Sequence, residues 1–289
     1  MIFKLASPLC LFLLTFNTQA IVISDFTAET NERFKNDATF IGNGINMSGM
    51  GRDATGKWLT LIAPDIFISS DHEAPSGTAY FYSDNNITTT AEQRTIMGGQ
   101  QIANSDLYVG YLNAPVSPNI SHYNFSTSLT GLTTSTVTYM TGQAGSTNPT
   151  PDSNFPNTQN MLVGQNILDA YIPSSTSFGR TGATLSLGRH EKGGPKYQDY
   201  EAFFHGGDSG SPLFTYDLAN GVTLLGTAWY TSTVFQDKSY PASVYTYTGA
   251  YTKELTDYVT LNSQSQVPEP SATLLLMLSS GLFMIRRHR

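Results

Sequence analysis

Apolar and polar positions change rhythm several times along the chain. Near the start, Lys4 precedes an apolar run from Leu9 to Phe16 that closes in Thr18-Gln19-Ala20. A charged opening, an apolar middle and a small-residue end are the order of a secretory leader, so residues 1–20 are expected to direct export. Trp58 to Ile68 reads as strand, turn at Pro64-Asp65, strand, and Asp106 opens an alternating stretch from Leu107 to Leu112. Thr133 to Thr141 alternates threonine with Val137 and Tyr139, a further strand, and the prolines at 149, 151 and 156 mark 142–160 as a surface loop. Tyr251, Leu255, Tyr258 and Val259 recur at helical spacing and predict a short C-terminal helix. Finally, Pro268-Glu269-Pro270 precedes a mostly apolar run, Ser271 to Ile285, and the basic cluster Arg286-Arg287-His288-Arg289. As a helix that run rises only about 22 Å against a ~30 Å hydrocarbon core, a marginal span whose basic end favours the cytoplasmic side.

Composition narrows the class. Removing both ends from 289 residues leaves about 245, enough for one large domain or two small ones. Charged residues are 13% of the chain and the 25 glycines show no three-residue period, which excludes a charged disordered tail, a coiled coil and collagen. Abundant threonine with 16 tyrosines and 16 phenylalanines favours pleated strands, and the expected class is all-β. A net charge of -7 gives phosphates nothing to bind, so no nucleic-acid partner is expected. The one cysteine, Cys10, lies in the leader, leaving the body without a disulfide or a thiolate zinc cage.

The segment with the strongest chemical signature is Gly207-Asp208-Ser209-Gly210-Ser211-Pro212, followed by the apolar Leu213-Phe214. Glycines on both sides of Ser209 permit a tight turn that projects its hydroxyl and aims backbone N–H groups at an oxygen becoming negative. A serine hydroxyl needs a base. Of five histidines, His72 stands at the end of an apolar strand, a setting that His122, His190 and His288 lack. Asp106, at the start of a strand, is the candidate carboxylate to orient that imidazole.

The hexapeptide resembles the nucleophile loop of chymotrypsin-like serine peptidases, and the order His72, Asp106, Ser209 is similar to that family's triad. The resemblance covers about residues 38 to 262. It implies two antiparallel six-stranded β-barrels, at 21–120 and 121–262, with a short C-terminal helix and the cleft between them. It also implies His72 as base, Asp106 as its orienter, Ser209 as nucleophile, and the N–H groups of Gly207 and Ser209 as the oxyanion hole. Phe203, His205, Trp229 and Tyr230 fall where that family contacts substrate, although His205 reads more readily as a residue that fills the loop. No metal or organic cofactor is required. Two departures stand out: Ser69-Ser70-Asp71 replaces small apolar residues, and its carboxylate must reach water or a partner; Phe203 supplies no negative charge, which points to small or apolar substrate side chains. In many relatives a new Ile-Val terminus pairs its ammonium with the aspartate before the nucleophile. Leader removal would create Ile21-Val22 for Asp208, or those residues simply begin a strand.

The tail at 263–289 resembles a PEP-CTERM sorting signal. That implies a Gram-negative bacterium, a membrane-embedded exosortase as processing partner, transient membrane association, and release or attachment outside the inner membrane. The expected function is a secreted serine endopeptidase acting on proteins or peptides. The alternatives are an inactive barrel pair that binds protein at the cell surface or matrix, and a passive matrix component.

Overall fold

The computed structural model describes residues 21–86, 90–143, 160–233 and 241–265, so the leader, residues 266–289 of the expected sorting tail and most of the expected loop at 142–160 lie outside the described residues. Val22–Ile23 (β1) and a four-residue helix, Ala28–Asn31 (α1), lead into six strands: Met50–Asp53 (β2), Trp58–Ala63 (β3), Ile66–Ser70 (β4), Thr78–Phe81 (β5), Glu92–Gln101 (β6) and Leu107–Leu112 (β7). Their pairing closes a barrel in the order β2-β3-β4-β7-β6-β5. β3 is buried along its whole length, which explains its unbroken apolar run. Leu59 and Leu61 join Phe67, Ala79, Phe81 and Leu112 inside the barrel. The opposite face, Trp58 and Ile62, joins Ile66, Ile68, Val109, Phe214 and Leu224 in a core that runs into the other half.

The remaining strands are Asn124–Phe125 (β8), Val137–Gly142 (β9), Leu162–Ile167 (β10), Ala170–Ser177 (β11), Arg180–Gly188 (β12), Ala202–Phe203 (β13), Pro212–Asp217 (β14), Gly221–Ser232 (β15) and Ala242–Tyr247 (β16). Seven of them pair in the order β10-β9-β14-β15-β16-β12-β11, and β8 adds in parallel to β15, making an eight-stranded sheet. Met140, Leu162, Leu185, Leu187, Leu213, Leu225 and Tyr245 fill its interior together with Ile21 and Ile23. A one-turn 3-10 helix leads into Thr252–Ser265 (α2), and Tyr251 and Leu255 of the expected stripe enter the shared core, with Tyr258 and Val259 packed beside it. The all-β class holds, and a closed six-stranded barrel, a second sheet that is antiparallel except for β8, and a short C-terminal helix are consistent with a chymotrypsin-like double barrel.

The N-terminal stretch fastens the halves together. β1 pairs with β13, Val22 opposite Phe203. Arg33, 1% exposed, donates to the carbonyls of Met47, Tyr82 and Asp84 and to Asn85 Oδ1 in the first half, at 2.9 to 3.0 Å. Its own backbone N–H donates to Met161 O in the second, at 3.0 Å. Four acceptors around one buried guanidinium replace the water it gives up.

Candidate active site

Sheet register brings His72 to Asp106. β4 and β7 pair antiparallel with Ser70 opposite Leu107, so the chain leaving β4 runs directly beside the residue entering β7. Asp71 N–H donates to Asp106 O at 2.8 Å. One residue further, His72 N–H donates to Asp106 Oδ1 at 3.0 Å, and His72 Nδ1 lies 2.7 Å from Asp106 Oδ2. Asp106 is fully buried. Burial pushes its carboxyl up, against the hydrogen bonds and charge of His72 and the charge of Arg180, which pull it down. Surrounded by donors, it acts as an acceptor, which assigns the proton to Nδ1 and leaves the Nε2 lone pair free.

That nitrogen lies 2.8 Å from Ser209 Oγ, 137 residues away in the loop between β13 and β14. The loop is built on left-handed glycines, Gly207 at φ +100° and Gly210 at φ +81°. At Gly210 a Cβ would also stand 2.5 Å from Ser69 Oγ and 3.0 Å from Ser70 N, so both conformation and space demand glycine. Gly210 N–H donates to Ala228 O and Ala228 N–H to Ser211 O, both at 2.9 Å, tying the loop to β15. Among the described residues, the N–H groups of Gly207 and Ser209 donate to no protein acceptor.

Beneath the loop, Asp208 is fully buried. Its Oδ1 accepts from Gln143 N at 2.8 Å and its Oδ2 from His205 N at 3.2 Å, and the backbone N–H of Ile21 donates to it as well. Burial nevertheless pushes its pKa up to about 7 despite these donors and the charge of buried Arg52. Ile21 is fully buried against it: a Cβ on Gly142 would meet Ile21 Cβ at 2.5 Å and Asp208 Oδ1 at 2.7 Å. The two expectations for Ile21-Val22 are therefore compatible in space, since Ile21 abuts Asp208 while Val22 begins β1.

Two further residues touch the dyad, and neither stands out from the sequence. Phe178 stacks on the His72 ring with centroids 4.8 Å apart and 26° between planes. It sits at φ +50° and is 61% exposed, a conformation costing a non-glycine residue on the order of 1–2 kcal/mol. Arg180, next to that turn, places Nε 2.7 Å and Nη2 2.6 Å from Asp71 Oδ2. Asp71, anomalous in sequence, thus has its partner 109 residues away. The one sequence clue is the Phe178-Gly179 pair between two strand-like segments.

The residues expected to contact substrate divide. Phe203 is 5% and Trp229 1% exposed, both packed in the interior, with Phe203 in the β1–β13 pair and Trp229 edge-on to Tyr230 at 5.2 Å. His205 and Tyr230 are partly exposed. His205 packs edge-on to Phe203 at 5.2 Å, and burial followed by the charge of Arg189 lowers its pKa. Among the described residues no group of three or more His, Cys, Asp or Glu is arranged to hold a metal ion, and no helix is long and apolar enough to cross a membrane.

The sequence matches no family model and no curated protein. Among solved structures, the chain is similar to a scabies mite inactivated protease paralogue, S-I1, at 14% identity and a TM-score of 0.49, over 73% of this chain and 93% of that one.

Proposed function

We propose that the protein is a serine hydrolase of the endopeptidase type, with Ser209 as nucleophile, His72 as general base and Asp106 as the group that orients the base. One observation carries this reading: an unbroken hydrogen-bonded path Asp106–His72–Ser209, with heavy-atom distances of 2.7 and 2.8 Å. Both lie within the range that proton transfer and orientation require.

Ser209 Oγ attacks a peptide carbonyl carbon while its proton passes to His72 Nε2. The imidazolium is stabilised by Asp106 and then delivers that proton to the leaving amine, and water hydrolyses the resulting ester by the same relay. The N–H groups of Gly207 and Ser209, without protein acceptors, are the donors for the oxygen that becomes negative. None of Phe203, His205, Trp229 and Tyr230 carries a negative charge, in keeping with small or apolar substrate residues. An ammonium at Ile21, exposed by leader removal, would meet Asp208 and order the nucleophile loop. The leader-like residues 1–20 and the Pro268-Glu269-Pro270 tail support export of the enzyme across the inner membrane, with an exosortase acting on the tail.

Labelling by a serine-directed fluorophosphonate tests the assignment. Adduct on Ser209, absent in Ser209→Ala, is expected. No adduct in correctly processed protein would replace the enzyme by a protein-binding barrel pair.

A further inference from the structure

The β11–β12 hairpin leaves the second half and closes over the dyad of the first. Its turn, Phe178-Gly179, has both φ angles positive, +50° and +72°, the mirror-image turn that fits hairpin twist and that normally takes asparagine and glycine. A bulky aromatic in a left-handed backbone persists only where its surroundings hold it, and such positions gather at functional sites. Here the surroundings are His72, under the Phe178 ring, and a carboxylate pair gripped by Arg180. Besides clasping Asp71, the Arg180 Nε lies 3.4 Å from Asp106 Oδ1, the same oxygen that accepts the His72 backbone N–H. The other oxygen, Oδ2, faces His72 Nδ1. The side chains of Arg180, Asp71 and His72 keep only 23%, 17% and 14% of their surface exposed, so these charges are weakly screened.

We propose that Arg180 is a positioning residue of this site: forked onto Asp71, it fixes the Asp106 carboxylate against His72 and, with Asp71, sets the net charge that the imidazole feels. This role rests on the reading of Ser209 as nucleophile. Few other charges complicate the balance. Asp71 acts on the Tyr108 phenol only through its charge, after burial, and Glu73, next to His72, is taken by Lys57 at 3.2 Å. Phe178 and Ser209 bring no charge. Arg180 and Asp71 therefore cancel as a pair and become visible when one is removed. Loss of Arg180 leaves an extra negative charge and favours imidazolium; loss of the Asp71 charge leaves an extra positive one and disfavours it.

The test uses the full chain with isotope-labelled histidine, following ring signals by NMR against pH and assigning His72 by its absence in His72→Gln. Arg180→Gln is expected to raise the midpoint of His72 protonation and Asp71→Asn to lower it, each by about half a pH unit or more. The double variant should return to within ~0.2 pH unit of the parent, because charges that cancel in the parent are both gone. The acid limb of fluorophosphonate labelling should move in the same directions. Arg180→Lys keeps the charge but not the fork, so its limb stays in place while its plateau rate falls. If Arg180→Gln does not fold, Asp71→Asn alone still has to move the midpoint downward. Midpoints displaced in the same direction, midpoints that stay put, or a double variant displaced like either single one overturn the proposal. Opposite displacements in a parent that never labels sink the hydrolase reading and leave the clamp on His72 standing; a parent that labels normally while the midpoints stay put sinks the clamp alone.

Discussion

The environment of Asp208 yields a quantitative prediction about N-terminal processing. In the continuous chain, Asp208 accepts from neutral N–H groups, Ile21 among them, and its pKa stands at about 7 against 3.8 for a free carboxyl. A carboxyl that holds its proton more tightly when folded stabilises the fold at low pH and loses that stabilisation as pH climbs from 3.8 to 7. At about 1.4 kcal/mol for each tenfold change in proton affinity, the loss is on the order of 4 kcal/mol. Freeing Ile21 puts an ammonium where an amide stood, and an opposite charge at contact lowers a carboxyl pKa by about 1–3. Protein beginning at Ile21 should therefore recover roughly 1–4 kcal/mol of this loss relative to protein carrying Gln19-Ala20 in front of it. Urea unfolding of both forms at about pH 4.5 and 7 measures the difference directly, since every other titrating side chain is common to both. The Ile21 form should lose less stability between the two pH values, and Asp208→Asn should erase the contrast. Equal pH dependence in the two forms, or a contrast that survives in Asp208→Asn, would mean that no ion pair forms between the Ile21 ammonium and Asp208.

Three other outcomes are expected. Ser209→Ala or His72→Ala should lower peptide kcat/KM by about 10⁴-fold or more, with thermal unfolding little changed, as read by a chromogenic assay and melting curves. Gly210→Ala must force a Cβ against Ser69 Oγ and Ser70 N at φ +81°, and should abolish fluorophosphonate labelling while costing stability of at least ~1 kcal/mol in denaturant titration. His190 hydrogen-bonds Asp169 and Glu201, which raise its pKa to about 9 from 6.5. Its imidazolium thus contributes stability that is complete below pH 6.5 and is lost as pH rises through 9, so the melting temperature should fall across that window and His190→Gln should flatten the fall.

What could be read from the chain alone follows from how local each signal is. Ser209 was legible because its loop needs glycines at 207 and 210, on either side of the serine. His72 and Asp106 were legible because each adjoins an apolar strand whose pattern is visible within about ten residues. The C-terminal helix from Thr252 follows for the same reason. Partners set by tertiary approach left no such trace. Arg180 reaches Asp71 only once β12 has joined β16 and the two halves have met. β1 appears as an isolated dipeptide until β13 lies beside it. Nor does the sequence show that Phe203 pairs with Val22 and packs against Phe204 and His205.

The pairing of Val22 with Phe203, and the grip of Arg33 on the stretch from Met47 to Asn85 beside Met161, carry a consequence for biogenesis. A ribosome adding about 5–20 residues per second reaches Phe203 some ~10–40 s after Val22. Throughout that interval Val22 and Ile23 have no partner strand, so this seam between the two halves closes only after much of the second half has been made, while Arg33 can already reach its acceptors between Met47 and Asn85.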